Sequence, residues 1–79
     1  MPYEKYTPQE VADRGEAIYE ERIRASIEAD NKGKFVAIDI ESGHFELDGS
    51  ELAAMKRIKT RQPEAVVYLI RVGHPTAYR

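Results

Sequence analysis

The stretch "KFVAIDI", Lys34 to Ile40, alternates its side chains strictly, and that alternation constrains this chain more than any other feature. Val36, Ile38 and Ile40 share one face of an extended strand, and Phe35, Ala37, Asp39 and Glu41 share the other. Glu41, Ser42 and Gly43 follow as a short hairpin turn with Gly43 at positive φ. The return strand "HFELD" turns Phe45 and Leu47 to the core and His44, Glu46 and Asp48 away from it. A hairpin is marginal alone, so the rest of the chain must supply its cover.

Helical signals flank the hairpin. Thr7, Pro8 and Glu10 form a capping box with proline at the first helical position, so a first helix begins there and runs to about Ala29. Its apolar positions Val11, Ile18, Tyr19, Ile23 and Ile27 make a thin stripe, which Gly15 interrupts. Such a helix extends roughly 30 Å, so part of it is expected to overhang a body this small. Asn31 or Gly33 closes it. A second helix starts at "DGSEL", capped by Asp48 or Ser50, buries Leu52, Met55 and Ile58, and stops at Pro63. The run "AVVYLIRV" then reads as the third strand.

The second helix is a crossover, which places strand 3 parallel to strand 2. The expected fold is therefore α+β in the order α-β-β-α-β, a three-stranded antiparallel sheet of order 2-1-3 packed on helix 2. The expected parts are a helical arm over 7–30, a ββαβ body over 34–73 and a tail over 74–79. If Val66, Tyr68, Ile70 and Val72 face helix 2, then Val67 and Leu69 lie on the opposite face beside Phe35 and Ala37. That second apolar face needs cover from helix 1, a second protomer or a foreign partner. Strand 3 is also a long apolar edge with only Arg71 to discourage pairing.

Composition excludes more than it assigns. With no cysteine among 79 residues there is no disulfide, thiolate zinc site or Cys nucleophile. No apolar run approaches a bilayer span and no leader pattern is present, so a cytoplasmic protein is expected. Ser26, Ser42 and Ser50 read as helix surface, turn and cap, and the glycines punctuate turns instead of forming a phosphate loop. His44, Glu46, Asp48, Asp39 and Glu41 could gather around a cation, but a solvent-facing strand also produces such sets. The reading is no enzyme, no metal and no cofactor.

Charge is unevenly spread. Residues 1–30 hold eight acids and four bases, whereas residues 56–79 hold one acid and six bases. Lys56, Arg57, Lys59 and Arg61, with Arg71, Tyr78 and Arg79 nearby, form the alternative candidate, a basic nucleic-acid face on helix 2. An acidic first helix suits a basic partner, with Glu16, Glu20 and Glu21 steering the encounter.

The pattern of Gly33, Lys34, Phe35, Val36, Ala37 and Ile38, the turn at Gly43, Asp48 and Gly49, then a helix, Pro63 and a strand through Val72 resembles a small bacterial domain family of unknown function. The resemblance covers a little over half the chain, leaves helix 1 outside it and brings no catalytic residues. Its members are similar in style to operon-encoded partner proteins, antitoxin-like ones included. The expected function is a non-enzymatic protein-interaction module and homo-oligomer. Its expected contact residues are Ile18, Tyr19, Ile23, Ile27, Phe35, Val67 and Leu69.

Overall fold

The structure is a computed structural model that describes residues 6–73; the expected tail at 74–79 lies outside them. Its elements are α1 (Pro8–Ile18), a π-helical turn (Tyr19–Ile23), α2 (Arg24–Ile27), β1 (Phe35–Asp39), β2 (Phe45–Asp48), α3 (Glu51–Arg61) and β3 (Val67–Arg71). The sheet has order β2-β1-β3 with β1 antiparallel to both neighbours, as the α+β reading expects. β2 and β3 therefore run parallel, with α3 as the crossover between them. No helix among the described residues is long and apolar enough to cross a membrane.

Local signals act where the sequence places them. Thr7 Oγ1 accepts from the Glu10 amide at 3.1 Å, and the Glu10 carboxylate accepts from the Thr7 amide at 2.8 Å. Ser50, not Asp48, caps α3 by accepting from the Ala53 amide at 3.2 Å. Gly43 takes φ 83° in the hairpin turn, which the buried Asp39 side chain tightens by accepting from the Glu41 amide at 2.9 Å.

Both faces of the sheet are covered within the chain. Tyr19 and Ile23 pack with Val36, Ile38, Ile70 and Val72, flanked by Ile18, Ile27, Phe45, Leu47 and Tyr68. On the other face Ala54 and Ile58 of α3 pack on Ala37, flanked by Met55, Val67 and Leu69. The expected assignment of faces is thus reversed: Tyr68, Ile70 and Val72 lie with the first helical stretch, and Val67 and Leu69 lie on the α3 side. Large side chains, Tyr19, Ile23, Val36, Ile38 and Ile70, fill the side under the π turn, while on the other side Ala54 packs on Ala37. Leu52 falls outside the buried stripe of α3 and is 72% exposed, because Ala54 and Ile58, one turn apart, define the sheet-facing side.

Gly15 does not interrupt the first stripe; it belongs to it. Val11, Gly15, Tyr19, Ile23 and Ile27 recur every four residues, and a Cβ on Gly15 would sit 2.5 Å from Tyr68 Cβ and Cγ. The glycine is what lets α1 press onto β3, and Tyr68 Oη then donates to Glu16 Oε2 at 2.9 Å. In a regular helix each four-residue step overruns the turn by ~40°, or ~160° over four steps. The π turn, with Arg24 N–H bonded to Tyr19 carbonyl, inserts one residue and takes back ~100° of that drift. Tyr19 and Ile23 therefore both stay buried.

The Tyr19 hydroxyl is buried without a hydrogen-bond partner among the described residues. Its pKa is pushed above the ordinary 10.0 first by burial and then by Glu28. The stability conferred by a neutral phenol is fully present below pH 10.0 and is lost as pH climbs through the raised folded value.

Gly15→Ala is expected to lower stability by ~1–3 kcal/mol in urea unfolding, although the same change on an open helix surface would raise it. A stabilised variant would mean that α1 does not rest on Tyr68. Tyr19→Phe should be neutral or stabilising by up to ~1 kcal/mol near neutral pH and should flatten the alkaline loss of stability. Melting curves on either side of pH 10.0 measure both effects.

Candidate interaction surface

The two sheet edges have different fates. At β2, the even-numbered residues bond to β1: Asp39 N–H donates to the His44 carbonyl at 2.8 Å, which sets the ladder alternation through Glu46 and Asp48. Phe45 and Leu47 therefore turn their backbone groups outward. Arg57 interrupts this edge, donating from one amine to the Leu47 carbonyl at 2.7 Å and from the other to Asp48 Oδ2 at 3.1 Å. Its Nε reaches Glu46 Oε1 at 3.3 Å, and Glu46 Oε2 lies 2.7 Å from His44 Nε2. A single guanidinium ties the polar face of β2 to α3.

At β3 the alternation is offset. Ile40 N–H donates to the Val66 carbonyl at 3.0 Å, and Val72 N–H donates to the Lys34 carbonyl at 2.8 Å. With Ile38 opposite Tyr68 and Val36 opposite Ile70, residues Val66, Tyr68, Ile70 and Val72 bond inward. Val67, Leu69 and Arg71 then point their N–H and C=O groups out of the sheet, where no described residue takes them up. α3 lies mainly over β1 and β2, so the side chains of Val67 and Leu69 stay only half-buried. Beside Val67 runs a groove of about 470 Å³, bounded by Tyr6, Pro8 and Val11 at the start of α1 and by Met55 and Lys59 of α3.

The residues singled out from sequence separate on this map. Tyr19 and Ile23 are spent inside the chain and present no surface, because the π turn directs both into the core. Ile18 and Ile27 are half-buried against that same cluster. Phe35 is half-buried, with the Arg71 guanidinium 5.6 Å from its ring centroid. Val67 and Leu69 alone among the seven lie on the β3 edge that no described residue pairs. Tyr6, Val11 and Met55 of the groove were not expected there; Val11 and Met55 carried the signal of an apolar stripe, but not the wall it would form.

Of the basic set, Arg57 is committed to β2, and Lys59 Nζ donates to the Ala65 carbonyl at 2.7 Å. Lys56 and Arg61 remain solvent-facing, around a shallow groove of about 440 Å³ that also includes Thr60 and Glu46. Tyr78 and Arg79 lie outside the described residues. The acidic first helix likewise spends part of its charge internally. Glu20 and Glu28 flank Arg24 at 2.8 and 3.1 Å, holding its guanidinium protonated well beyond its usual range, chiefly through the hydrogen bond to Glu20.

The fold and surface together define a small α+β domain, a three-stranded sheet clasped between helices, with the β2 edge interrupted by Arg57 and the β3 edge unpaired among the described residues. No family model, curated protein or solved structure matches the chain.

Arg57→Met keeps the aliphatic stem and removes the bonds to Glu46, Leu47 and Asp48. It is expected to cost ~1 kcal/mol. Lys56→Met on the neighbouring position should stay within ~0.5 kcal/mol. Equal effects in urea unfolding would contradict the role assigned to Arg57.

Proposed function

We propose that this chain is a non-enzymatic protein-interaction module that engages its partner by strand addition at the outer edge of β3. The observation that carries this reading is the contrast between edges: Arg57 occupies the Leu47 carbonyl on β2, while Val67, Leu69 and Arg71 present an unbroken outward row on β3. An added strand gains main-chain bonds along that row, and the neighbouring apolar groove receives one or two of its side chains. The carboxylates and imidazole of the β2 face are engaged with one another and with Arg57, which favours a structural role for them over a chemical one.

Val67→Pro tests this directly. The Val67 N–H points outward, so proline there removes an edge donor without breaking the ladder to β1, and proline is tolerated at the first residue of an edge strand. Tagged wild-type and variant proteins of equal helicity by circular dichroism would be passed through untreated and nuclease-treated lysate of the native source. Partner retention should fall at least tenfold for the variant. Undiminished retention would place the contact elsewhere, and retention abolished by nuclease for both would move it to Lys56 and Arg61.

A further inference from the structure

The reading of β3 as the docking edge leaves its occupant open, and the inference drawn here rests on that reading. The geometry points to a second copy of this chain. β3 would pair antiparallel with β3 about a two-fold axis at Leu69, joining two three-stranded sheets into one of six strands.

Hydrogen-bond periodicity selects the register. Only the odd-numbered residues Val67, Leu69 and Arg71 have outward N–H and C=O groups, so only pairings that set odd against odd can form bonds. Leu69 opposite Leu69 sets Val67 opposite Arg71 at both ends, and every outward donor and acceptor of both strands finds a partner. A shift of two residues in the pairing strands an end residue of each copy. The strand is therefore complementary to itself in one register and incompletely so in its neighbours.

Side chains agree with that register. The single charged residue of β3 is Arg71, and it meets Val67 of the other copy instead of a second arginine. On the α3 side the two Leu69 side chains come together, and the half-buried Val67 and Leu69 surfaces left uncovered by α3 are enclosed. On the α1 side Tyr68 falls beside Ile70 of the other copy. An isologous β3–β3 contact uses the β3 edge of both copies, and at each outer β2 edge Arg57 occupies the Leu47 carbonyl and interrupts the row left by Phe45 and Leu47. The assembly closes as a dimer and does not extend into a filament.

Because the chain has no cysteine, any single-cysteine variant can form a disulfide only between copies. Directly opposed residues in a hydrogen-bonded antiparallel pair have Cα atoms roughly 5.5 Å apart, within disulfide range. Under mild oxidation Leu69→Cys should cross-link by itself. Val67→Cys and Arg71→Cys should each fail alone and cross-link when mixed. Sedimentation equilibrium of the wild type should show a mass rising with concentration from 9.0 kDa to twice that value. In the same range the amides of Val67, Leu69 and Arg71 should gain at least tenfold protection from hydrogen exchange. This wild-type measurement stands even if a cysteine variant folds poorly.

A mass fixed at 9.0 kDa up to submillimolar concentration overturns the dimer. If the edge amides of that monomer exchange freely and become protected when the captured partner is added, strand addition at β3 survives with a foreign occupant. Protection independent of both concentration and partner would place the cover of the edge within the chain, and would overturn the dimer and the docking edge together. A dimer whose cross-links avoid residue 69 would refute the register.

Discussion

The arrangement of this molecule depends on the contact between Gly15 and the side chain of Tyr68. Because a missing Cβ lets α1 lie directly on β3, the first helical stretch becomes a layer of the body and not an arm beside it. That placement commits Tyr68, Ile70 and Val72 to the α1 side and leaves the smaller Ala37 surface for α3. The π turn is the second half of the same solution. A stripe with four-residue spacing cannot follow a straight α-helix for long, and the extra residue returns Ile23 to the sheet that Gly15 has drawn near. The unpartnered Tyr19 hydroxyl is a cost of that solution, since a ring of this size fills the gap while its oxygen meets no acceptor among the described residues.

A second asymmetry follows from where α3 sits. It rests over β1 and β2, close enough for Arg57 to reach past the strand and bond the Leu47 carbonyl. The same displacement uncovers the flank of β3. One helix position thus lets Arg57 interrupt one edge and leaves the other uncovered by α3, and the interaction surface proposed for the chain is a consequence of packing geometry more than of any motif. The charge on α3 illustrates the point. The four bases read as one charged set in sequence, yet Arg57 and Lys59 serve backbone carbonyls of their own chain, while Lys56 and Arg61 reach solvent.

In a domain of this size the division between core and interface is narrow, because only roughly 60% of the extended-chain surface is buried on folding. Val67 and Leu69 sit on that boundary, contributing to the Ala37 cluster while offering their outer sides to a neighbour. A charge placed at either position would therefore act on both stability and assembly, and the two effects need separate readouts.

The sequence alone determined the elements and their order: the capping box at Thr7, the alternation from Phe35, the Gly43 turn, the Ser50 cap and the β-branched run of β3 are local, and local chemistry decides them. It also determined strand order, since a hairpin followed by a helical crossover leaves few ways to return. What only the tertiary structure decided was which face each helix takes, because both faces of β1 and β3 are apolar and alternation by itself does not say which helix will fit which gap. It decided likewise that Gly15 is a contact and not a break, that Arg57 is an edge guard, and that the groove by Val67 exists at all. Each of these depends on distances between segments far apart in the chain, and spacing within one segment carries no record of them.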